Sequence, residues 1–222
     1  MPSTYAHFRF GQEVYKELLP KCRTVIDAFR PLYDIGLHGP DILFYYHALQ
    51  PNAVSAVGFE AHERPGRDFF LHAAGILRQS GKAELAYLYG VLCHFALDVS
   101  CHAYVNQKIR ESGISHTEIE GEFDRSLMIA DGLNPVTHCL TGHIVPSREN
   151  AEVIAPFYDG VTADNVRTAL RSMIFQNKML LAKSGAKRKL IYAVLKLTGN
   201  YEDMHGLVIN PNGNPACADS NA

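Results

Sequence analysis

The chain has 222 residues, 47% of them hydrophobic and 20% charged, with a formal net charge of −2 at pH 7. That length suits one substantial domain with a full apolar core. The near-neutral balance argues against a surface that wraps long nucleic acid, which needs clustered Lys and Arg.

The periodicity is helical almost throughout. Apolar residues at Val14, Leu18, Leu19, Val25, Ile26 and Phe29 predict helix over 12–29, interrupted at Pro20. The stretch PLYDIGLHGP, 31–40, reads as a turn rich in Gly and Pro. Asp41 is then placed to cap a short helix, ILFYYHAL, ending before Pro51. A helix over 65–79 precedes the longest and most apolar one, 82–110, which is expected at the centre. Ser115, with Glu118 three residues on, carries the capping-box pattern for a helix reaching about residue 130. Helices over 148–158 and 163–184 follow, the second capped by Thr162. The segment AKRKLIYAVLKLTG, 186–199, is basic and amphipathic, and a solvated bundle helix is a plainer reading of it than an interfacial one. Residues 210–222 read as an irregular tail. Alternating polarity is scarce, so the expected fold class is all-α: a single-domain multi-helix bundle over 1–222.

Five cysteines, at 22, 93, 101, 139 and 217, form no closely spaced ligand set and are odd in number. Reduced thiols of a cytoplasmic protein are expected. The start MPSTYAHFRFGQEV lacks a basic start and an apolar run, so no signal peptide is expected. No stretch approaches the roughly 18 apolar residues of a membrane span.

Chemistry concentrates in HFALDVSCHAYVNQKIRESGISHTEIE, 94–120. On a helix, steps of four residues drift by about 40° and stay on one face. His94, Asp98 and His102 therefore form one polar stripe on an otherwise apolar helix. His116 and Glu120 form a second stripe on the next helix, and the short ESGIS link makes the two helices antiparallel neighbours. Facing ladders of imidazole and carboxylate suit Zn²⁺ or a similar divalent ion. Taken singly, each histidine reads as well as a satisfied core residue, and an i, i+4 pair is an ordinary helix interaction. Five in register are harder to dismiss, since each unpaired buried polar group costs roughly 1–3 kcal/mol.

Other residues carry less. His38, in HGPD, reads as a turn histidine, with a supporting role near Asp41 as the alternative. His47, His72, His138, His143 and His205 lack partners at ligand spacing and read as structural. Arg125 suits an ion pair better than a phosphate contact. Cys93 and Cys101 sit about 100° around the helix from the neighbouring histidines and read as packing residues.

The pattern HxxxDxxxH, thirteen further residues and HxxxE resembles the bacterial zinc-dependent phospholipase C family, which is related to the S1/P1-type nucleases. YAHFRFG around His7, IGLHGPDILFYY with Asp41, and EAH at His62 fit the same resemblance in order. It implies an all-α bundle in which Asp41, His62, His94 and Asp98 hold one zinc. His102, His116 and Glu120 would hold a second. His7 would help to hold a third, with Asp98 bridging to the first. Secreted members use a processed N-terminus at that third site, and this chain reads MPSTYAH there, so two or three ions are expected. The implied activity is phosphodiester hydrolysis by a metal-activated water, with Asp41 also placed to orient that water. The implied substrate is a phosphoester, with a phospholipid headgroup as the candidate the family name suggests and no residues of this chain assigned to a headgroup pocket. Transient contact with a membrane surface is compatible with this. A nuclease or nucleotidase on the same cluster, and a non-catalytic metal-stabilised binding module, are the alternatives. The sequence assigns no oligomeric state.

Overall fold

The computed structural model describes residues 4–217. Its α-helices are α1 (Thr4–Glu17), α2 (Pro20–Ala28), α3 (Arg30–Gly36), α4 (Ala53–Glu63), α5 (Gly66–Leu77), α6 (Lys82–Ser112), α7 (His116–Ala130), α8 (Arg148–Ile154), α9 (Ala163–Leu180), α10 (Gly185–Leu197) and α11 (Tyr201–Met204). Three short 3-10 helices join them, and there is no strand among the described residues. The all-α expectation holds. The chain divides into two compact units. One comprises Phe8–Ala96 and Thr141–Gln176, and the other Met1–His7, Leu97–Leu140 and Asn177–Ala222. They are called here the Asp41 unit and the Asp98 unit.

The Asp41 unit holds the main apolar core, where Leu32, Ile35, Ile42, Leu43, Tyr87 and Val91 meet Ile154, Phe157, Val166, Leu170 and Met173. Its central crossing is backbone against backbone. A Cβ at Gly36 would stand 2.3 Å from the carbonyl oxygen of Tyr87, and one at Gly90 would stand 2.3 Å from that of Tyr33. Only glycine at both positions lets α3 and α6 approach so closely, one turn before His94.

Several local expectations fail here, each for a physical reason. PLYDIG is helical rather than a turn, because Pro31 falls in the first turn of α3, where its missing N–H costs nothing. Asp41 does not cap a helix. It lies inside a 3-10 helix, Gly39–Tyr45, whose N-cap position is His38. Helix α4 has no counterpart among the expected elements. It begins at Asn52, whose side chain accepts from Ser55 N at 2.9 Å. The helix expected over 148–158 ends at Ile154, where Pro156 turns the chain into a 3-10 segment. That expected over 163–184 stops at Leu180, and Ser184 instead caps α10.

The Asp98 unit has a smaller apolar cluster, Val105, Ile119 and Cys217 with Ile109 and Ile114. Its buried charged residues are Asp98, Lys108, Glu120, Glu122 and Asp124. Burying so many charges is costly unless they are paired or hold a cation. Ser115 caps α7 as expected, accepting from Glu118 N at 3.3 Å. The Glu118 carboxylate meets His205 at 3.3 Å and Asn214 at 2.8 Å. Arg125 lies 3.7 Å from Glu122, the ion pair expected of it. The tail is irregular to residue 214, after which a 3-10 turn buries Cys217. Positions 218–222 of the expected tail lie outside the described residues.

One expectation is corrected by α6. An 18-residue window of this helix reaches a mean hydropathy of 1.2, long and apolar enough to cross a membrane by length and composition alone, with 39% of it buried. The same helix buries His94, Asp98 and Lys108.

Candidate metal centre

In the Asp41 unit three of the expected ligands converge. His62, on α4, and His94, on α6, both turn Nε2 toward Oδ1 of Asp41, at 2.9 and 3.9 Å. Their rings are nearly perpendicular, 78° apart with centroids 5.9 Å distant. Two ligands of one tetrahedral zinc stand about 3.3 Å apart, given Zn–N and Zn–O bonds of roughly 2.0–2.1 Å. The observed separations bracket that value.

The tautomer of His62 sharpens the reading. Its Nδ1 lies 2.8 Å from the carbonyl oxygen of Gly58, and a carbonyl only accepts, so Nδ1 carries the proton. In the neutral ring Nε2 is then a lone pair facing a carboxylate oxygen. That arrangement is stable only with a proton on Nε2 or a cation shared by both atoms. A ring nitrogen tied to a backbone carbonyl is also how metal-binding histidines are commonly oriented. The residues fit a divalent cation.

Local backbone holds these groups in place. Gly39 has φ of 47°, and a Cβ there would stand 2.5 Å from the His94 ring. A side chain at this position would be strained and would also push into the imidazole. The HGPD segment thus lies against His94 and delivers Asp41 two residues later. His38 is more than a turn residue. It is 2% exposed, and its Nε2 lies 2.7 Å from Nε2 of His143, which stacks on Phe8. Burial, and then the nearby Arg30 guanidinium, push the His143 pKa down to about 4.

The Asp98 unit contains the remaining five ligands in two groups. His7, 2% exposed, places Nε2 at 3.3 Å from Oδ1 of Asp98, again the separation of two ligands on one ion. His116 and Glu120 stand 2.6 Å apart, closer than two ligands of a single ion would be, as a hydrogen-bonded pair. The ring of His102 lies 6.5 Å from that of His116. An apolar cleft of ≈ 120 Å³ opens beside Glu120, lined by Ser100, Cys101, Tyr104, Val105, Ile119 and Phe123. Helix α6 carries His94, Asp98 and His102 on one continuous stripe, as the i, i+4 spacing requires.

Sequence reasoning missed Asp124, which is fully buried and accepts from the backbone N–H groups of Tyr5 and Ala6 at 2.9 and 2.8 Å. These are orphan donors at the start of α1, so Asp124 caps that helix and fixes the turn carrying His7. Its position in the EFDR run gives no local sign of this. The other histidines have structural partners: His72 meets the Pro156 carbonyl at 2.8 Å, and His138 lies edge-on to Tyr5. Cys93 is buried against Tyr33 and all five thiols are free.

Comparison with known proteins follows the same residues. Neither the curated proteins nor the solved structures give a match. A family model described as zinc dependent phospholipase C matches residues 6–163, a span containing all eight of the residues from His7 to Glu120 discussed above. The chain belongs to the zinc-dependent phospholipase C family.

Proposed function

We propose that this hydrolase cleaves the phosphodiester of a phospholipid headgroup, with His7, Asp41, His62, His94, Asp98, His102, His116 and Glu120 holding two or three zinc ions. The observation that carries the reading is the His62 geometry: Nδ1–H donates to the Gly58 carbonyl, which aims the Nε2 lone pair at the Asp41 carboxylate, where a cation resolves the contact. Membership of a zinc-dependent family supplies the metal. When bound, zinc contributes positive charge to polarise a phosphoryl oxygen and acidity to activate a water.

The side chains do the rest. His62 and His94 face Asp41 from two directions, at 2.9 and 3.9 Å, so that all three could meet one cation. Asp41, not fully sealed from solvent, orients the attacking water and takes its proton. The new P–O bond forms as the ester P–O bond breaks, and the proton passes to the departing alcohol. The cleft beside Glu120, lined by Ser100, Cys101, Tyr104, Val105, Ile119 and Phe123, is largely apolar, which supports a lipid chain as part of the substrate.

Release of water-soluble phosphomonoester from phosphatidylcholine is the test. The reading expects release that a chelator stops and added zinc restores. A zinc-loaded protein that releases nothing from phosphatidylcholine would overturn it.

A further inference from the structure

The segment from 165 to 201 contains eight Lys and Arg and no Asp or Glu, leaving the rest of the chain with 13 basic against 23 acidic residues. Helix α10 occupies its C-terminal part, beyond the span matched by the family. Within the Asp98 unit it rests on one side through buried Leu195 and is tied to the end of α9 by Lys187, whose Nζ donates to the carbonyl oxygens of Leu181 and Lys178 at 2.9 and 3.2 Å. Its other side is apolar and open. Leu190, Val194 and Leu197 are 65%, 52% and 90% exposed, and their i, i+4, i+7 spacing sets them in one stripe, with Ala186 and Ala193 alongside. Lys189 and Lys196, both exposed, border the stripe along one side, with Lys196 Nζ 4.7 Å from the centre of the Tyr201 ring, and Lys183 precedes the helix. A single exposed Leu on a globular surface is ordinary. Three on one stripe, bordered by lysines, form a surface of another kind.

We infer that the open face of α10 docks on an anionic lipid surface, with Leu190, Val194 and Leu197 entering the acyl boundary and Lys189 and Lys196 meeting the headgroup phosphates. A helix with an apolar face and a basic border lies in the plane of such an interface, held by buried area together with attraction to anionic lipid. A second copy is a poorer occupant. Antiparallel two-fold pairing would set the lysine border of one copy against that of the other, whereas an anionic lipid surface offers that border phosphates. A nucleic acid has no complement for the leucine stripe. The inference rests on the lipid reading of the active site only for its biological setting, because docking and hydrolysis are measured separately.

The experiment is sedimentation of the zinc-loaded protein with vesicles of phosphatidylcholine alone, and with equimolar phosphatidylcholine and phosphatidylserine. The double variant Leu190→Gln/Leu197→Gln and the double variant Lys189→Gln/Lys196→Gln are run beside it. Binding to the mixed vesicles is expected to exceed binding to phosphatidylcholine by about tenfold or more, and to weaken as salt is raised. Each double variant should lose about tenfold of that binding while keeping its helical content and its hydrolysis of a short-chain lipid in monomeric solution. Equal binding to both vesicle types, no binding to either, or undiminished binding by the Leu variant would overturn the inference. So would a wild-type dimer that the Leu variant splits, since the face would then belong to a second copy. A protein that docks without hydrolysing lipid contradicts the proposed activity and leaves the docking face standing.

Discussion

Nε2 of His62 faces Oδ1 of Asp41 across 2.9 Å while Nδ1 of the same ring is committed to the Gly58 carbonyl. The ring therefore presents a lone pair where a metal ligand needs one. His62→Gln removes that lone pair and leaves α4, a surface-accessible helix, able to form. The expected outcome is loss of about one zinc per chain and a fall in phosphodiesterase activity on the order of 100-fold or more. Elemental analysis and rate measurement check it, with circular dichroism unchanged.

Asp124 shows how far a site residue can be from its cause in sequence. Its carboxylate holds two N–H groups at residues 5 and 6, across sequence separations of 119 and 118. Asp124→Ala leaves both donors buried without that acceptor, at a cost of about 2–3 kcal/mol in a denaturant titration. His7 is two residues beyond the cap, so zinc content should fall with it. Asp124→Asn, with one oxygen for two donors, should be intermediate.

That contrast separates what was legible in the sequence from what was not. Helices α6 and α7 could be read within a few residues, because long apolar periodicity and the Ser115 cap are local signals. The stripe His94, Asp98, His102 was legible for the same reason, since helix geometry converts spacing into a face. Helix α3 was not, because Pro31 and Gly36 look like turn formers until tertiary packing shows Pro31 in a first turn and Gly36 at a helix crossing. The start of α1 at Thr4 depends on Asp124, and the His38–His143 pair joins residues 105 apart. No window of sequence contains either relationship.

The α3–α6 crossing gives a sharper stability test. Gly36→Ala and Gly90→Ala each place a methyl 2.3 Å from a backbone carbonyl oxygen, which cannot swing aside. Each is expected to destabilise by several kcal/mol or to prevent folding. Gly75→Ala in α5 meets nothing within 4 Å and should be neutral to stabilising by up to about 1 kcal/mol. Thermal melts of the three variants read the difference.

Acid should destabilise the Asp41 unit through His143. Its folded pKa lies near 4, against 6.5 for the free side chain. Between those values the unfolded chain binds the extra proton, so the contribution is present above about pH 6.5 and is lost as pH falls toward 4. The gap corresponds to a contribution on the order of 3 kcal/mol. The facing groups are His38, which shares a hydrogen bond with it, and the Arg30 guanidinium. His143→Gln should flatten this part of the stability–pH curve. Urea titrations of the metal-free protein at several pH values measure it, so that zinc loss does not enter the slope.

The most direct test of the zinc assignment is the metal content of the purified chain after expression in zinc-supplemented medium, set beside that of Asp98→Asn. The account predicts two or three zinc per wild-type chain and a loss of at least one in the variant, with helical content retained in both. A wild-type chain that folds to the same helical structure and holds no zinc would contradict it.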